Sequence, residues 1–340
     1  MNHHHIQIYL LVYVDDILIT DNDSKAISEL IHKLQSKFTM KNLDPASHFL
    51  GIKIDSSTNK YFLSQSLYAQ SILQLVDLNN CNSLTNQSAT KMPLQVSGVT
   101  ASFDPNTYIH IVGFLQYLTL ARPDIAYAVN ALSQHMHDPT NIHTSMLKRL
   151  LRYIKGTTKF RLPITRSNLL LRTFSDIDWA ADPITRKSKS GYYTFLGYTL
   201  VSWTIKKQTT VSRSSTESEY RALASATADT IWIKRLLSGF RILYTAPVDL
   251  FCDNTSAIAL ANNPVFHART KHIEIDQRFI RDHIHNNNIR LLPISTTDQI
   301  SDILTKPLAT PRFKFLRSKL TIEPQLSVCG GMLEQQNKVS

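Results

Sequence analysis

The 340 residues are 43% hydrophobic, an ordinary level for a globular protein, which excludes a disordered chain and leaves room for two or three domains with real cores. Lysine and arginine outnumber aspartate and glutamate 37 to 26, a formal net charge of +11 that favours a polyanionic partner such as nucleic acid. With no run of about 18 apolar residues, no basic region before the first apolar stretch, and three cysteines (Cys81, Cys252, Cys329) lacking metal-site spacing, the chain is expected inside the cell, in cytoplasm or nucleus, with free thiols.

In chain order, the first expected element is a hairpin: residues 6–14 are rich in Ile, Leu, Val and Tyr, Asp15 and Asp16 make the turn, and 17–20 return. A helix over 24–38 follows, with Ile27, Leu30, Ile31 and Leu34 on one face. Strands around 48–55 and 60–64 and a helix over 67–75 complete this unit, and 79–102, rich in Asn, Ser and Thr, reads as a linker. Asp104 and Pro105 open a helix, and Pro123 opens a second with the stripe Ile125, Val129, Leu132 and Met136. A third carries Leu147, Leu150, Leu151 and Ile154 and ends at Gly156. Then come strands over 169–175, 192–196 and 200–206, a helix over 216–237, a strand over 248–252, helices over 254–261 and 273–285, a strand over 289–294 and a helix over 299–305. Strands in a row followed by strands alternating with helices imply a mixed sheet flanked by helices. From Pro307 onward periodicity is lost, and a loose tail is expected.

Four acids punctuate that last unit. Asp176 closes one apolar run, Asp253 closes another, Glu219 opens the long helix, and Asp302 sits in the short final one. Strand ends and helix starts are rigid mounts, and two magnesium ions about 4 Å apart need hard oxygen ligands to clamp the attacking water and leaving oxygen of a phosphodiester. Helical geometry alone leaves Glu217 and Glu219 equivalent, since both flank the stripe of Tyr220, Leu223, Ala224 and Thr227. Asp178 reads as a loop residue capping the turn after the first strand, and capping or plain surface charge is the alternative for every acid. Basic residues cluster at Lys148, Arg149, Arg152, Lys155, Lys159 and Arg161, and again at Arg186, Lys187, Lys189, Lys206, Lys207 and Arg213. The second cluster lies nearest the first two acids and supplies the nucleic-acid-binding candidates, with a solvated face as the alternative. Trp179 and Trp203 are candidates to pack under a nucleic acid, or simply in the core.

Short blocks then accumulate in a telling order. Tyr13 to Asp16 spell YVDD, and Phe49 to Ile52 spell FLGI. Residues 121–129 read ARPDIAYAV and 151–157 LRYIKGT; then come SDIDWA (175–180), KSKSGY (187–192), STESEYRA (215–222), FCDNTSAI (251–258) and SDILTKPL (301–308). Together they resemble the Pol polyprotein of copia-type retrotransposons over nearly the whole chain, and five ordered blocks within about 130 residues are specific where one would be weak.

The resemblance implies an α/β chain with an α+β remnant at its N-terminus and a ribonuclease H-like fold, a five-stranded mixed sheet flanked by helices, at its C-terminus. It divides the chain into the C-terminal part of a reverse transcriptase (1–78), a linker (79–103), a helical connection (104–160), a ribonuclease H domain (161–308) and a tail (309–340). It makes Asp176, Glu219, Asp253 and Asp302 the catalytic, metal-binding acids, selecting Glu219 over Glu217 because the family's ligand directly precedes the Tyr. Two Mg2+ ions, replaceable by Mn2+, an RNA/DNA hybrid as partner, and endonucleolytic cleavage of its RNA strand follow as expectations. Asp15 and Asp16 match two of the three polymerase acids; the family places the third, with the fingers, upstream of YVDD, so RNA-directed DNA polymerase activity is not expected. The competing reading is a non-catalytic nucleic-acid-binding relic or pseudogene product. Phe114, Arg161, Gln277 and Arg278 depart from the family pattern, and none is a metal ligand.

Overall fold

The computed structural model describes residues 6–43, 45–90, 103–263 and 273–325; Cys329 and the part of the expected linker over 91–102 lie outside them. The hairpin forms, β1 (Ile8–Tyr13) antiparallel to β2 (Asp16–Asp21) with Tyr13 opposite Asp16, but Val14 and Asp15 make its turn rather than Asp15 and Asp16. Helix α1 (Ser24–Gln35) follows, started by Asp23, whose carboxylate accepts from the Lys25 N–H at 2.9 Å. β3 (His48–Phe49) and β4 (Ile52–Ser57) are joined by Leu50 and Gly51, with φ of 49° and 67°. Two consecutive positive φ values suit a two-residue hairpin loop. A Cβ on Gly51 would also come within 2.5 Å of the Tyr117 hydroxyl, which explains the glycine of FLGI.

β5 (Lys60–Ser64) and α2 (Ser66–Leu75) follow, then α3 (Pro105–Leu118), a short 3-10 turn (Pro123–Ile125) leading into α4 (Ala126–Ser133), and α5 (Asn141–Gly156). After β6 (Phe160–Thr165) come β7 (Leu171–Asp178), β8 (Lys189–Leu196), β9 (Thr199–Lys207), α6 (Ser215–Gly239), β10 (Val248–Cys252), α7 (Thr255–Asn262), α8 (Glu274–His285), β11 (Ile289–Pro293), α9 (Asp302–Thr305), α10 (Thr310–Lys319) and β12 (Glu323–Pro324).

One five-stranded sheet has the order β11-β10-β7-β8-β9. β7, β8 and β9 form an antiparallel meander, while β10 and β11 run parallel to β7 on its other side. This is the mixed ribonuclease H-like sheet the resemblance implies. α6 covers one face and α4 and α9 the other. Alternation along β7 serves both layers: Thr173 bonds Thr230 of α6 at 2.9 Å, whereas Phe174 packs in the core shared with α4, α9 and α10. Among the described residues no helix is long and apolar enough to cross a membrane.

Three further expectations need correction. The chain after Pro307 is not a loose tail as far as residue 325: α10 buries Phe313 and Leu316, and β12 pairs with β6. Residues 161–165, which the resemblance assigns to the ribonuclease H domain, lie in β6 and pair with β5, so β12-β6-β5-β4-β3 make a second sheet that unites distant parts of the chain. Asp178 is the last residue of β7, opposite Lys189, rather than a loop cap.

The blocks ARPDIAYAV and LRYIKGT meet in a buried ionic cluster. Arg122 reaches both oxygens of Asp124 at 2.8 Å and donates to the Thr157 carbonyl and hydroxyl, each at 2.8 Å. Asp124 accepts a 2.5 Å bond from the Tyr153 hydroxyl, which in turn accepts from Arg317 of α10 at 2.9 Å. Arg122 and Asp124 are 2% and 0% exposed, so each charge depends on its partner. The residues these blocks share therefore tie three helices together.

Candidate active site

Asp176 lies near the C-terminal end of β7, where β10 ends beside it and the start of α6 and the whole of α9 converge. Its neighbour across the ladder is Gly191 of β8, where a Cβ would meet the Leu304 Cβ at 2.7 Å. The missing side chain lets α9 lie directly on the sheet. Thr305 consequently donates to Asp176 Oδ2, and Lys306 Nζ stands 3.0 Å from Asp176 Oδ1 and 2.6 Å from Asp302 Oδ1. Arg312 Nη2 approaches the other oxygen of Asp302 at 2.9 Å. On the opposite side Glu219 accepts from the Cys252 thiol at 3.3 Å, and Asp253 accepts from the Thr296 hydroxyl at 3.2 Å.

The four acids named from sequence share one electrostatic environment. Burial pushes the Asp176 carboxyl up to about 7; Lys306 pulls it down, while the Asp302 and Asp253 charges push it up again. Burial and then the Asp176 charge hold Glu219 well above the usual carboxylate range, with Asp253 adding to the repulsion. Carboxylates that repel one another in a buried place form a site that an added cation relieves. Donor atoms of Glu219, Cys252 and Asp253 lie within 4.8 Å of one another, close enough to share an ion. Burial, then the Glu219 charge, pushes the Cys252 thiol up, so Cys252 stays protonated and orients Glu219 as a donor. The carboxylate oxygens of Glu219 and Asp253 are the hard donors of that group, the kind a magnesium ion takes.

The two glutamates at the start of α6 part company. Glu217 accepts from the Arg213 N–H at 2.8 Å and pairs with Arg221 at 2.8 Å, which fixes the helix start. Glu219 faces Cys252 instead.

Of the nucleic-acid candidates, Arg186, Lys206 and Arg213 are exposed and Lys187 is half-buried. Lys189 and Lys207 have internal work: the Lys189 ammonium sits 5.3 Å from the Tyr127 ring centroid, and Lys207 pairs with Asp182. Lys189 and Lys207 are cross-strand neighbours two residues beyond the Asp176 rung, about 7 Å along the sheet. The set thus borders the end of the sheet that carries the acids. Two members of the earlier cluster are engaged within the chain, Arg152 donating to the Asn82 carbonyl at 2.8 Å and the Arg161 guanidinium lying 3.5 Å from the Phe62 ring centroid. Trp203 packs against the core, and Trp179 is 47% exposed with its indole N–H donating to the Ser212 carbonyl at 3.3 Å.

Sequence reasoning missed Lys306, Thr305 and Arg312. The first two stand inside the quoted block SDILTKPL, next to the acid that drew attention. A basic residue four positions after Asp302 on a short helix was a usable signal, because that spacing brings the pair together.

Asp15 and Asp16 lie far from this chemistry in character. Both are exposed, on a hairpin that pairs with no third strand among the described residues. Among the described residues the one group of three potential metal ligands is that of Glu219, Cys252 and Asp253, and neither Asp15 nor Asp16 belongs to it.

Comparisons with known proteins bear on both halves. A family model described as reverse transcriptase (RNA-dependent DNA polymerase) matches residues 3–89. The retrovirus-related Pol polyprotein from transposon RE2 of Arabidopsis thaliana is 41% identical over 96% of this chain, which spans 22% of that relative's length. An uncharacterized mitochondrial protein of the same plant is 48% identical over 66% of this chain and 93% of its own. Among solved structures, a foamy viral protease-reverse transcriptase in complex with an RNA/DNA hybrid aligns with a TM-score of 0.47 and 13% identity, covering 95% of this chain and 38% of that one.

Proposed function

The chain belongs to the Pol polyprotein family of copia-type retrotransposons, and from that premise we propose that residues 161–308 cleave the RNA strand of RNA/DNA hybrids, with magnesium held by Asp176, Glu219, Asp253 and Asp302. The supporting observation is that buried Asp176 and Glu219 feel one another's charge and that of half-buried Asp253, while Lys306 bridges Asp176 to Asp302. Bound magnesium would supply the charge that activates water and stabilises the leaving oxygen. Asp176, fixed by Thr305, and Glu219, fixed by Cys252, present their oxygens in set orientations. Arg186, Lys187, Lys206 and Arg213 hold the phosphate backbone beside them.

The discriminating experiment offers the chain one sequence as RNA/DNA hybrid and as duplex DNA, with and without magnesium. The hybrid alone is cut, in its RNA strand and only with magnesium. Equal cutting of duplex DNA, or cutting that survives chelation, overturns the proposal.

Two further expectations arise here. With about three to four exposed cations on phosphates, log affinity against log salt has a slope of about −3, so hybrid binding falls about 60-fold between about 50 and 200 mM salt. Binding indifferent to salt would remove the basic residues from the interface. The proposed reverse transcriptase part, tested as this chain, adds no nucleotide to a primed RNA template, because Asp15 and Asp16 belong to no group of three potential metal ligands among the described residues. Primer extension above that of an Asp15→Ala, Asp16→Ala variant would contradict this.

A further inference from the structure

The four carboxylates are not equivalent in their partners. Glu219 and Asp253 accept hydrogen bonds from neutral groups, the Cys252 thiol and the Thr296 hydroxyl. Asp176 and Asp302 instead share one ammonium, with Lys306 Nζ 3.0 Å from the first and 2.6 Å from the second. Arg312 adds a second cation to Asp302 at 2.9 Å. The side chain of Lys306 is 32% exposed while that of Asp176 is 2% exposed, so the ammonium has a path to solvent that the carboxylate lacks.

An ammonium bridging two carboxylates stands where a divalent ion on the same pair would stand, and it answers the same repulsion with half the charge. Lysine is suited to a reversible part, being a compact charge on a flexible four-carbon stem rather than a rigid fork.

We propose that Lys306 is a resident counter-ion of this site: it occupies the Asp176–Asp302 pair in the ion-free chain, competes with a divalent ion there, and swings out when that ion binds. Ions then load first against Glu219 and Asp253, whose partners are neutral, and second against the lysine. The proposal rests on the metal-dependent reading above, but its consequences lie in binding, before any cleavage.

Manganese binding to the full chain, measured without nucleic acid, provides the test. Lys306→Gln raises the affinity of the weaker ion by at least about tenfold, a value reduced for solvent screening of a partly exposed charge. Lys306→Arg, which keeps the cation, retains the parent's weak second ion. Unchanged or weaker binding by Lys306→Gln overturns the proposal, since a purely structural lysine would lower metal affinity along with order. Acetic anhydride labelling of the parent chain, read by mass spectrometry, does not depend on any variant folding. Saturating manganese raises acetylation of Lys306 several-fold if the ammonium is displaced, and unchanged or reduced labelling overturns the proposal. A chain that shows both effects yet cuts no hybrid sustains this inference and refutes the nuclease reading; a chain that cuts hybrid and shows neither refutes this inference alone.

Discussion

Replacing Asp253 by Asn is expected to lower the proposed cleavage of a hybrid in magnesium by at least about 100-fold and to leave the fold intact. Asn matches Asp in size and can still accept from Thr296, so the change removes one negative charge at the end of β10 and little else. Glu219→Gln behaves the same way, because its carboxylate faces Cys252 and the charges of Asp176 and Asp253. Glu217→Gln keeps most activity, since its oxygens are committed to the Arg213 amide and the Arg221 guanidinium. Single-turnover rates of the three variants rank them directly. A reversed order of the two glutamates would move the ligand to Glu217.

The largest effect on stability is expected far from the carboxylates. Asp124→Asn leaves Arg122 buried, charged and without its counter-ion, and breaking a buried pair in this way costs about 3–5 kcal/mol. Tyr153→Phe, which deletes one hydroxyl from the same cluster, costs about 1 kcal/mol. Denaturant midpoints with circular dichroism measure both. A shift below about 1 kcal/mol for Asp124→Asn would mean that water reaches the pair and that ARPDIAYAV has a role other than holding the helices together.

What the chain discloses without coordinates divides along a physical line. Local patterns survive: β10 spans residues 248–252 as its apolar run predicts, and the buried Tyr220, Leu223 and Thr227 of α6 repeat at helical spacing. The acids were legible because strand ends and helix starts leave marks in sequence, and Glu219 was separated from Glu217 by family resemblance rather than geometry. Pairing between distant segments leaves no such mark. Nothing in Phe160–Thr165 announces β5 as its partner, since register depends on the surrounding fold. α10 was overlooked because Pro307 and Pro311 and four basic residues, Arg312, Lys314, Arg317 and Lys319, obscure Phe313, Leu316 and Leu320 at the spacing of a buried stripe. Charge alone likewise does not separate Arg161, stacked on Phe62, from Arg186 at the surface, because a guanidinium serves a ring as readily as a phosphate.

The central claim is that Asp176, Glu219, Asp253 and Asp302 act as one magnesium site on the RNA strand of a hybrid. Its most direct test incubates a hybrid labelled in the RNA strand with the parent chain in magnesium, with the parent in chelator, and with the Asp176→Asn, Asp253→Asn variant in magnesium. RNA fragments in the first sample alone are the predicted result. Fragments of equal yield in either of the others, or none in the first from a folded chain that binds the hybrid, would contradict it.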